Sequence, residues 1–268
     1  MPATLTMNDG RAIPAIGFGT YLVPDAEAPR ITREAVDVGY TLVDTAAFYG
    51  NERGVAEGLS GRDDIFVTTK LWRDSLGYDS ALRAFDNSLA QLGREQVDLY
   101  LIHWPMPSLG KYIEAWRALV RLHEEGRAKS IGVSNFTAEH LRTIVDATGV
   151  VPALNQVELH PGFQQRALRD FHAEQGILTQ SWAPLGQGTL LAHPAIVGIA
   201  EARGCTPAQT ILAWHLHHGL AVIPKASARE RLAANLAAGD VRLEAADIAA
   251  IDALDDLGGR LGPDPDRF

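Results

Sequence analysis

The sequence is poor in cysteine and lacks a long uncharged apolar run. Cys205 is the single cysteine among 268 residues, which excludes an internal disulfide framework. The opening stretch MPATLTMNDG has neither the basic nor the apolar region of a signal peptide. A run of about 18 uncharged apolar residues, which a membrane span requires, is also missing. We therefore expect a cytoplasmic protein with no membrane partner.

Positive charge is also scarce. Lysine and arginine number 24 against 33 aspartates and glutamates, so the formal net charge is −9. Nucleic acids and anionic membranes bind broad basic surfaces that release counterions. The composition argues against both partners and favours a small-molecule ligand, with any anion site confined to a local group of side chains.

The chain has the length and the apolar content of one large domain. Hydrophobic residues make up 46% of it, enough to bury a sizeable core. Neither a linker nor a low-complexity tract interrupts the sequence. A single domain over residues 1–268 is therefore expected.

Near-continuous runs of valine, isoleucine and leucine recur along the chain, as expected when both faces of a parallel sheet are covered. Eight such runs end near Thr20, Asp44, Lys70, His103, Ser134, Glu158, Ala183 and Lys225. Helical patterns between them cover 27–38, 80–92, 112–125, 138–147, 165–175 and 207–217. This alternation predicts an α/β protein of the (β/α)8 TIM barrel type.

The two ends of the chain add to this barrel. The segment TLTMNDGRAIPAIG predicts an N-terminal β-hairpin, with Asp9 and Gly10 in its turn. Two extra helices, over 229–236 and 243–254, and a tail rich in glycine and proline follow the last strand. The competing doubly wound dinucleotide fold is disfavoured, because GFGTYLVP has Leu22 where the third glycine of its fingerprint belongs.

Ionisable side chains stand at the carboxyl ends of three successive predicted strands, namely Asp44, Lys70 and His103. Tyr49 follows the first of them. Barrel strands bring such residues to one rim. There Lys70 would lower the pKa of the Tyr49 phenol from about 10, while Asp44 keeps Lys70 charged. The group predicts protonation of a carbonyl oxygen, hydrogen-bonded by His103, as a hydride reaches its carbon.

Six motifs relate the chain to a known family. They are GYTLVDTAAFYGNE at 39–52, LGREQVDLYLIHWP at 92–105, GVSNF at 132–136, NQVELHP at 155–161, SWAPLGQG at 181–188 and VIPKASARERLAANL at 222–236. With them the chain resembles the aldo-keto reductases almost end to end, in particular the prokaryotic 2,5-diketo-D-gluconate reductases. The resemblance implies a monomer with a catalytic tetrad of Tyr49, Asp44, Lys70 and His103, in which Tyr49 is the general acid.

The resemblance also implies a nicotinamide cofactor, NADPH, with weaker use of NADH. The implied contacts are Ser134, Asn135 and Gln156 to the carboxamide, Trp182 to the nicotinamide ring, Leu185, Gly186 and Gly188 to the pyrophosphate, and Lys225, Ser227, Arg231 and Asn235 to the adenosine end. The family commonly has a serine and a basic residue where this chain has Ala226 and Ala228. We therefore expect a smaller preference for NADPH than in relatives that keep both.

Aromatic residues next to the strand ends are predicted to line the substrate pocket, as aromatics often do in small-molecule sites. They are Tyr21, Trp72 and Trp104. The loop after the fourth strand is short, which favours small polar carbonyls such as keto-sugar acids. The run WHLHHG at 214–219 lacks the acidic residue of a metalloprotease helix and a third ligand, so no metal site is expected.

Two other functions fit parts of the pattern. A Schiff-base aldolase would use Lys70 as its nucleophile, but that chemistry requires a neutral lysine and Asp44 would keep it charged. A non-catalytic module that only binds a nicotinamide cofactor is the second alternative, since one fold can serve several functions. The complete set of four ionisable residues disfavours it.

Overall fold

The computed structural model describes residues 4–256 and 258–268. It begins with an antiparallel hairpin of β1 (Thr4–Thr6) and β2 (Ala12–Pro14). The turn between them includes Gly10 with a φ of +83°, a backbone conformation that glycine adopts without steric cost. The hairpin predicted from the sequence is therefore present.

A second sheet holds eight parallel strands, each paired with the next in chain order. They are β3 (Phe18–Gly19), β4 (Leu42–Asp44), β5 (Phe66–Leu71), β6 (Val97–Ile102), β7 (Ala128–Ser134), β8 (Leu154–Glu158), β9 (Leu178–Trp182) and β10 (Ala221–Val222). A parallel bridge between Ile16 and Val222 joins the two outer strands, and Gly17 N donates to Val222 O over 2.8 Å. The sheet thus closes on itself, which confirms the predicted barrel.

Helices alternate with these strands. They are α1 (Ala28–Val38), α2 (Glu52–Gly58), α3 (Tyr78–Leu92), α4 (Tyr112–Glu124), α5 (Ala138–Thr148), α6 (Arg166–Gln175), α7 (Pro194–Arg203), α8 (Pro207–His217), α9 (Arg229–Leu236) and α10 (Ala245–Asp252). In the described part of the chain, no helix combines the length and the apolar character that crossing a membrane requires.

Two of these helices, α2 and α7, were not predicted from the sequence. Helix α2 has only seven residues and two glycines, which are poor helix formers. A Cβ added at Gly54 would lie 2.5 Å from Asp25 O, and one at Gly58 would lie 2.6 Å from Thr32 Cβ. The glycines therefore allow α2 to approach α1 and the loop before it, and this tertiary contact outweighs their low helix propensity.

The longer elements follow the hydrophobic pattern of the sequence. Helix α3 buries Ala81, Phe85, Leu89 and Leu92, a spacing of three and four residues that forms one apolar face. Strand β6 is buried at every position except the half-buried Asp98. Helices thus cover the outside of the sheet, and the strand side chains fill the space on both sides of it.

The hairpin closes one end of the barrel. Met7 and Ile13 pack in one cluster with Leu42, Leu99 and Leu154, which lie near the amino-terminal ends of their strands. This end is therefore filled by apolar side chains. The opposite end, where the strands finish, carries the polar residues singled out in the sequence.

We expect Gly132→Ala to lower the free energy of unfolding by about 1–3 kcal/mol, the usual effect of overpacking a core. The added Cβ in β7 would lie 2.4 Å from Leu154 O and 2.9 Å from Leu101 Cδ2. Gly198→Ala in α7 is the matched control, since no heavy atom lies within 4 Å of its Cβ position. There alanine should stabilise the helix by up to about 1 kcal/mol. Equal midpoints of the two variants in urea denaturation would contradict this packing.

Candidate active site

Two neighbouring strands place an ion pair at the open end of the barrel. Asp44 is the last residue of β4, and Lys70 lies near the end of β5. The Lys70 ammonium donates to Asp44 Oδ1 and, over 2.9 Å, to the backbone oxygen of Thr45. Both side chains are fully buried, with 0% and 1% exposure.

Tyr49 and His103 lie beside this pair. Tyr49 belongs to a short 3-10 helix, residues 47–49, in the loop after β4, and His103 directly follows β6. Lys70 Nζ is 5.1 Å from the centroid of the tyrosine ring. The rings of Tyr49 and His103 are 5.6 Å apart. The structure therefore brings all four predicted residues to one rim.

Asn51 holds the Tyr49 loop in place. Its Oδ1 accepts a hydrogen bond of 2.8 Å from Thr45 Oγ1, and its Nδ2 donates to the backbone oxygens of Thr20 (3.0 Å) and Val23 (2.9 Å). The loops after β3 and β4 are thereby fixed to each other. A role for Asn51 was not predicted from the sequence, although its place in the motif YGNE was the available signal.

Glu52, the next residue, has a buried carboxyl group, and its role was likewise not predicted from the sequence. Thr69 Oγ1 donates to its Oε1 over 2.6 Å, one residue before Lys70 in β5. Burial raises the pKa of Glu52. The contact fixes α2, which begins at Glu52, to the strand that carries the lysine.

Gln156 and Gln180 extend the ion pair into the barrel. Gln156 Nε2 donates to Asp44 Oδ2 over 2.8 Å and to Gln180 Oε1 over 2.7 Å. Both amide protons of Gln156 are thus used, and its Oε1 has no hydrogen-bond partner within residues 4–256 and 258–268. A role for Gln180 was not predicted from the sequence. The available signal was the presence of a large polar residue within the predicted strand β9.

The electrostatics of the tetrad differ in one respect from the prediction. Burial raises the pKa of Tyr49 well above its usual value of 10, and the charge of Asp44 adds to this. The expected lowering by Lys70 is therefore wrong for this geometry. The Lys70 ammonium donates its hydrogen bonds to Asp44 and to the backbone oxygen of Thr45. Desolvation of the phenol therefore raises the pKa of Tyr49 more than the positive charge of Lys70 lowers it.

Burial acts on the other three groups as well. It lowers the pKa of Lys70 and raises that of Asp44, while their mutual attraction opposes both changes. Burial also lowers the pKa of His103 well below 6.5, and the charge of Lys70 adds to this. At neutral pH the site therefore contains a protonated phenol and a neutral imidazole.

The residues expected at the nicotinamide carboxamide form one hydrogen-bonded group. Asn135 Nδ2 donates to His103 O (2.9 Å) and to Ser134 Oγ (3.0 Å), and Ser134 Oγ donates to Gln156 O (2.8 Å). Trp182 Nε1 donates to Asn135 Oδ1 over 2.7 Å. Asn135 adopts a φ of +62°, a conformation uncommon outside glycine. The group lies next to His103, at the rim that carries the tetrad.

The segment expected at the pyrophosphate is an irregular turn after β9. Leu185 is followed by Gly186, Gln187 and Gly188, whose φ angles are +55°, +53° and +88°. Within the turn, Gly186 N donates to Ala183 O over 2.8 Å and Gly188 N donates to Leu185 O over 2.9 Å. The predicted contact of this turn with the pyrophosphate stays a prediction.

The residues expected at the adenosine end lie just before α9 and within it. Lys225 and Arg231 are exposed, Ser227 is half-buried and Asn235 is buried. Ala226 is only 5% exposed, whereas Ala228 is open to solvent.

Two of the predicted pocket aromatics lie around the phenol and the imidazole. Tyr21 is 52% exposed, and its ring is 5.2 Å from that of Tyr49. Trp72 lies 5.2 Å from the His103 ring and stacks at 3.9 Å on Phe48. Phe48 was missed in the sequence, although it directly precedes Tyr49. Together the rings form an aromatic wall beside the tetrad.

Trp104, the third predicted aromatic, is mostly covered. Its exposure is 8%, and its ring packs on Phe268 at 4.7 Å. The C-terminal tail therefore lies over this side of the rim.

Two of the three histidines in the WHLHHG run have structural contacts. His215 Nδ1 pairs with Ser181 Oγ at 3.1 Å and Nε2 with Pro184 O at 3.0 Å. His218 Nε2 lies 2.9 Å from Asp252 Oδ1. Across the described residues, no three histidine, cysteine or acidic side chains group as metal ligands.

Comparison with known proteins agrees with this geometry. The model of the aldo/keto reductase family matches residues 15–256. An aldo-keto reductase of Mycolicibacterium smegmatis is 48% identical, covering 100% of this chain and 98% of that protein. Methylglyoxal reductase DkgA of Escherichia coli K12 is 42% identical with the same coverage.

A solved structure gives the same result. The crystal structure of a Gox0644 variant in complex with NADPH is 52% identical, covers 99% of this chain and 98% of its own, and superimposes with a TM-score of 0.98. The fold, the six motifs and these relatives agree, and the chain belongs to the aldo/keto reductase family.

Proposed function

We propose that the protein reduces aldehydes or ketones to alcohols, with a hydride from NADPH and a proton from Tyr49. The observation that carries the proposal is the Tyr49 phenol beside the His103 imidazole and a buried lysine–aspartate pair at the barrel rim. Family membership and the NADPH complex of a 52% identical structure support the reaction class and the cofactor.

Each member of the tetrad has a chemical role in this reaction. The cofactor supplies the hydride. Tyr49 gives its proton to the carbonyl oxygen, and the neutral His103 orients that oxygen by a hydrogen bond. Lys70 stabilises the negative charge that remains on the tyrosine, and Asp44 keeps the lysine charged. The contact between Lys70 and Asp44 argues against a Schiff-base mechanism, which requires a neutral amine.

The residues at the rim fit a nicotinamide. The two Nε2 protons of Gln156 are donated to Asp44 and Gln180, so the orientation of the amide is fixed. The amide oxygen Oε1 is left to accept a hydrogen bond. This oxygen can accept a hydrogen bond from the carboxamide nitrogen. We propose that Ser134 and Asn135 contact the same carboxamide and that Trp182 stacks on the ring.

The remaining cofactor contacts follow the order of the chain. The positive-φ turn that includes Gly186 and Gly188 would bind the pyrophosphate. Exposed Lys225 and Arg231 would bind the phosphate of the adenosine end, where arginine forms parallel hydrogen bonds to phosphate oxygens. Ser227 and Asn235 complete the proposed set.

We propose small carbonyls as substrates, among them ketoaldehydes and keto-sugar acids. The relative DkgA is named a methylglyoxal reductase, which supports the first class. Tyr21, Phe48 and Trp72 give the pocket flat apolar walls beside the polar tetrad. Ranking kcat/KM for methylglyoxal, a diketogluconate and an aromatic aldehyde tests this. The proposed class is wrong if neither of the first two is reduced.

We also propose a single-domain monomer in the reducing cytoplasm. The family match spans most of the chain, and the single cysteine suits that compartment. Light scattering of the purified protein tests the oligomeric state.

Tyr49→Phe should lower kcat for carbonyl reduction by about 10²- to 10⁴-fold, the usual contribution of a general acid. The dissociation constant for NADPH should stay close to that of the wild type, since only the phenolic oxygen is removed. Steady-state rates and fluorescence titration measure the two quantities. A residual kcat within about tenfold of the wild type would remove Tyr49 as the acid.

Reduction should be independent of pH across the neutral range and should fall only at high pH. Burial lowers the pKa of His103 and raises that of Tyr49, so both stay neutral between these limits, and the rate is lost as the phenol loses its proton. Lys70→Met should lower kcat. It should also shift the loss of activity to a higher pH, because the cation that favours the phenolate has been removed.

The double variant Lys70→Met with Asp44→Asn is the control for this experiment. It removes the cation without leaving a buried carboxylate unpaired, a change that by itself destabilises proteins. Full activity and an unchanged pH profile in both variants would exclude the lysine from the reaction.

Arg231→Ala should raise the dissociation constant for NADPH about tenfold to a hundredfold and that for NADH little, because one charge-assisted contact is lost. Ala228→Arg is the matched gain-of-charge variant, since position 228 is exposed while Ala226 is buried. It should increase the preference for NADPH. Equal weakening of both cofactors in Arg231→Ala would place the arginine away from the 2′-phosphate.

A further inference from the structure

The C-terminal tail, residues 258–268, is attached to the barrel through Glu158. This glutamate ends β8, and its side chain is 1% exposed. Its Oε1 accepts the backbone N–H of Leu261 over 2.6 Å, and its Oε2 accepts that of Gly262 over 2.8 Å. His160 Nε2 lies 3.3 Å from Oε1. A buried carboxylate with two backbone donors forms charge-assisted hydrogen bonds, which are shorter and stronger than neutral ones.

The protonation state of Glu158 agrees with this attachment. Burial by itself raises the pKa of the carboxyl, but the hydrogen bonds from His160, Leu261 and Gly262 hold it below its usual value. Glu158 is therefore charged at neutral pH, and the two N–H groups of the tail lie against a full negative charge.

The attached segment presses against Trp182. A Cβ at Gly262 would lie 2.6 Å from Trp182 Cη2 and 3.0 Å from Glu158 Oε2, so only glycine fits there. Trp182 is also the strand partner of Glu158 in the β8–β9 register. The indole Nε1 donates to Asn135 Oδ1 over 2.7 Å. The tail and Asn135 thus both contact the indole.

Further contacts seat both ends of the tail. A Cβ at Gly259 would lie 1.9 Å from Gly162 O, which shows how closely the backbones approach. At the other end Phe268 packs on Trp104, and Asp266 lies 3.4 Å from His140 Nε2. Of the residues that contact the tail, Glu158 is a buried charged side chain that belongs to a barrel strand.

We propose that Glu158 is a positioning residue for the cofactor, whose carboxylate fixes the C-terminal tail against Trp182 and so holds the indole in place for the nicotinamide ring. The inference rests on the proposed function, since the stacking of Trp182 is part of that proposal. Loss of the carboxylate releases the tail, frees the indole and speeds the dissociation of NADPH. Because the tail ends at Phe268 over Trp104, its release also raises KM for the carbonyl substrate.

The experiment compares Glu158→Gln with Asp98→Asn. Asp98 is a matched control because its Oδ2 also accepts a backbone N–H, that of Val67 at 2.9 Å, at the opposite end of the barrel. Trypsin cleavage after Arg260, followed by mass spectrometry, measures release of the tail. Stopped-flow fluorescence measures the dissociation rate of NADPH.

Glu158→Gln should release the tail and raise the NADPH dissociation rate at least about tenfold, the effect of losing one charge-assisted hydrogen bond. Asp98→Asn should change neither quantity. Tail release with a dissociation rate within about twofold of the wild type overturns the inference. So does faster dissociation with the tail still protected.

Gly262→Ala provides an independent route, because its methyl group displaces the tail from the indole while Glu158 stays intact. The tail is a surface segment, so this variant keeps the barrel. It should reproduce the faster dissociation, and a wild-type rate there contradicts the inference even if Glu158→Gln does not fold.

A double-mutant cycle separates positioning from general stability. If Glu158 acts through the indole, Glu158→Gln should change the NADPH dissociation rate little in a Trp182→Ala background. Additive effects would show that the glutamate acts by another route. A wild-type protein that neither binds NADPH nor reduces a carbonyl refutes the proposed function instead, whatever the tail does.

Discussion

The buried ion pair between Lys70 and Asp44 is the interaction on which the site depends. Two charges removed from water lose several kcal/mol of hydration each, and only mutual contact with further hydrogen bonds offsets this loss. The additional partners are Thr45 O for the lysine and Gln156 for the aspartate. Thr45 directly follows β4, and Gln156 lies within β8. The pair is therefore stable only when the whole rim is assembled, and the reactive geometry is part of the folded state.

The same burial determines which groups can exchange protons. It keeps Tyr49 protonated and His103 neutral, so the pocket presents uncharged donors beside the buried Lys70–Asp44 pair. In the proposed reaction, a carbonyl oxygen that gains negative charge would meet donors whose positions are fixed by the fold. The closed amino-terminal end contributes indirectly, because the apolar cluster around Met7 and Ile13 confines polar chemistry to the other rim.

The sequence was sufficient for the barrel because its strands are continuous apolar runs and its long helices have one apolar face. It placed Asp44, Lys70 and His103 correctly at strand ends, since these positions follow directly from the strand boundaries. Helix α2 was missed because its glycines serve a contact with α1, and such contacts leave no local pattern. The pKa of Tyr49 was predicted in the wrong direction, because desolvation depends on the complete fold.

The partners of Glu158 could not be predicted for a related reason. Its hydrogen bonds reach Leu261 and Gly262 across 103 and 104 residues, and they end on backbone N–H groups that any residue except proline possesses. Gln180 likewise becomes meaningful only beside Gln156 on the neighbouring strand. Local motifs identify the candidate reactive side chains. The groups that orient these side chains are identified only when the order of the strands and the position of the tail are known.

The seam at which the barrel closes has a consequence for synthesis of the chain. Ile16 and Gly17 meet Val222 there, and Tyr40 in the same region donates to the backbone oxygen of Leu232, 192 residues later. A nascent chain on the ribosome therefore keeps the outer edge of β3 unpaired until β10 has been synthesised. An unpaired strand edge readily recruits other chains. Stalled or truncated products that end before residue 221 should accordingly depend on chaperones, whereas in a chain that includes β10 this edge is paired.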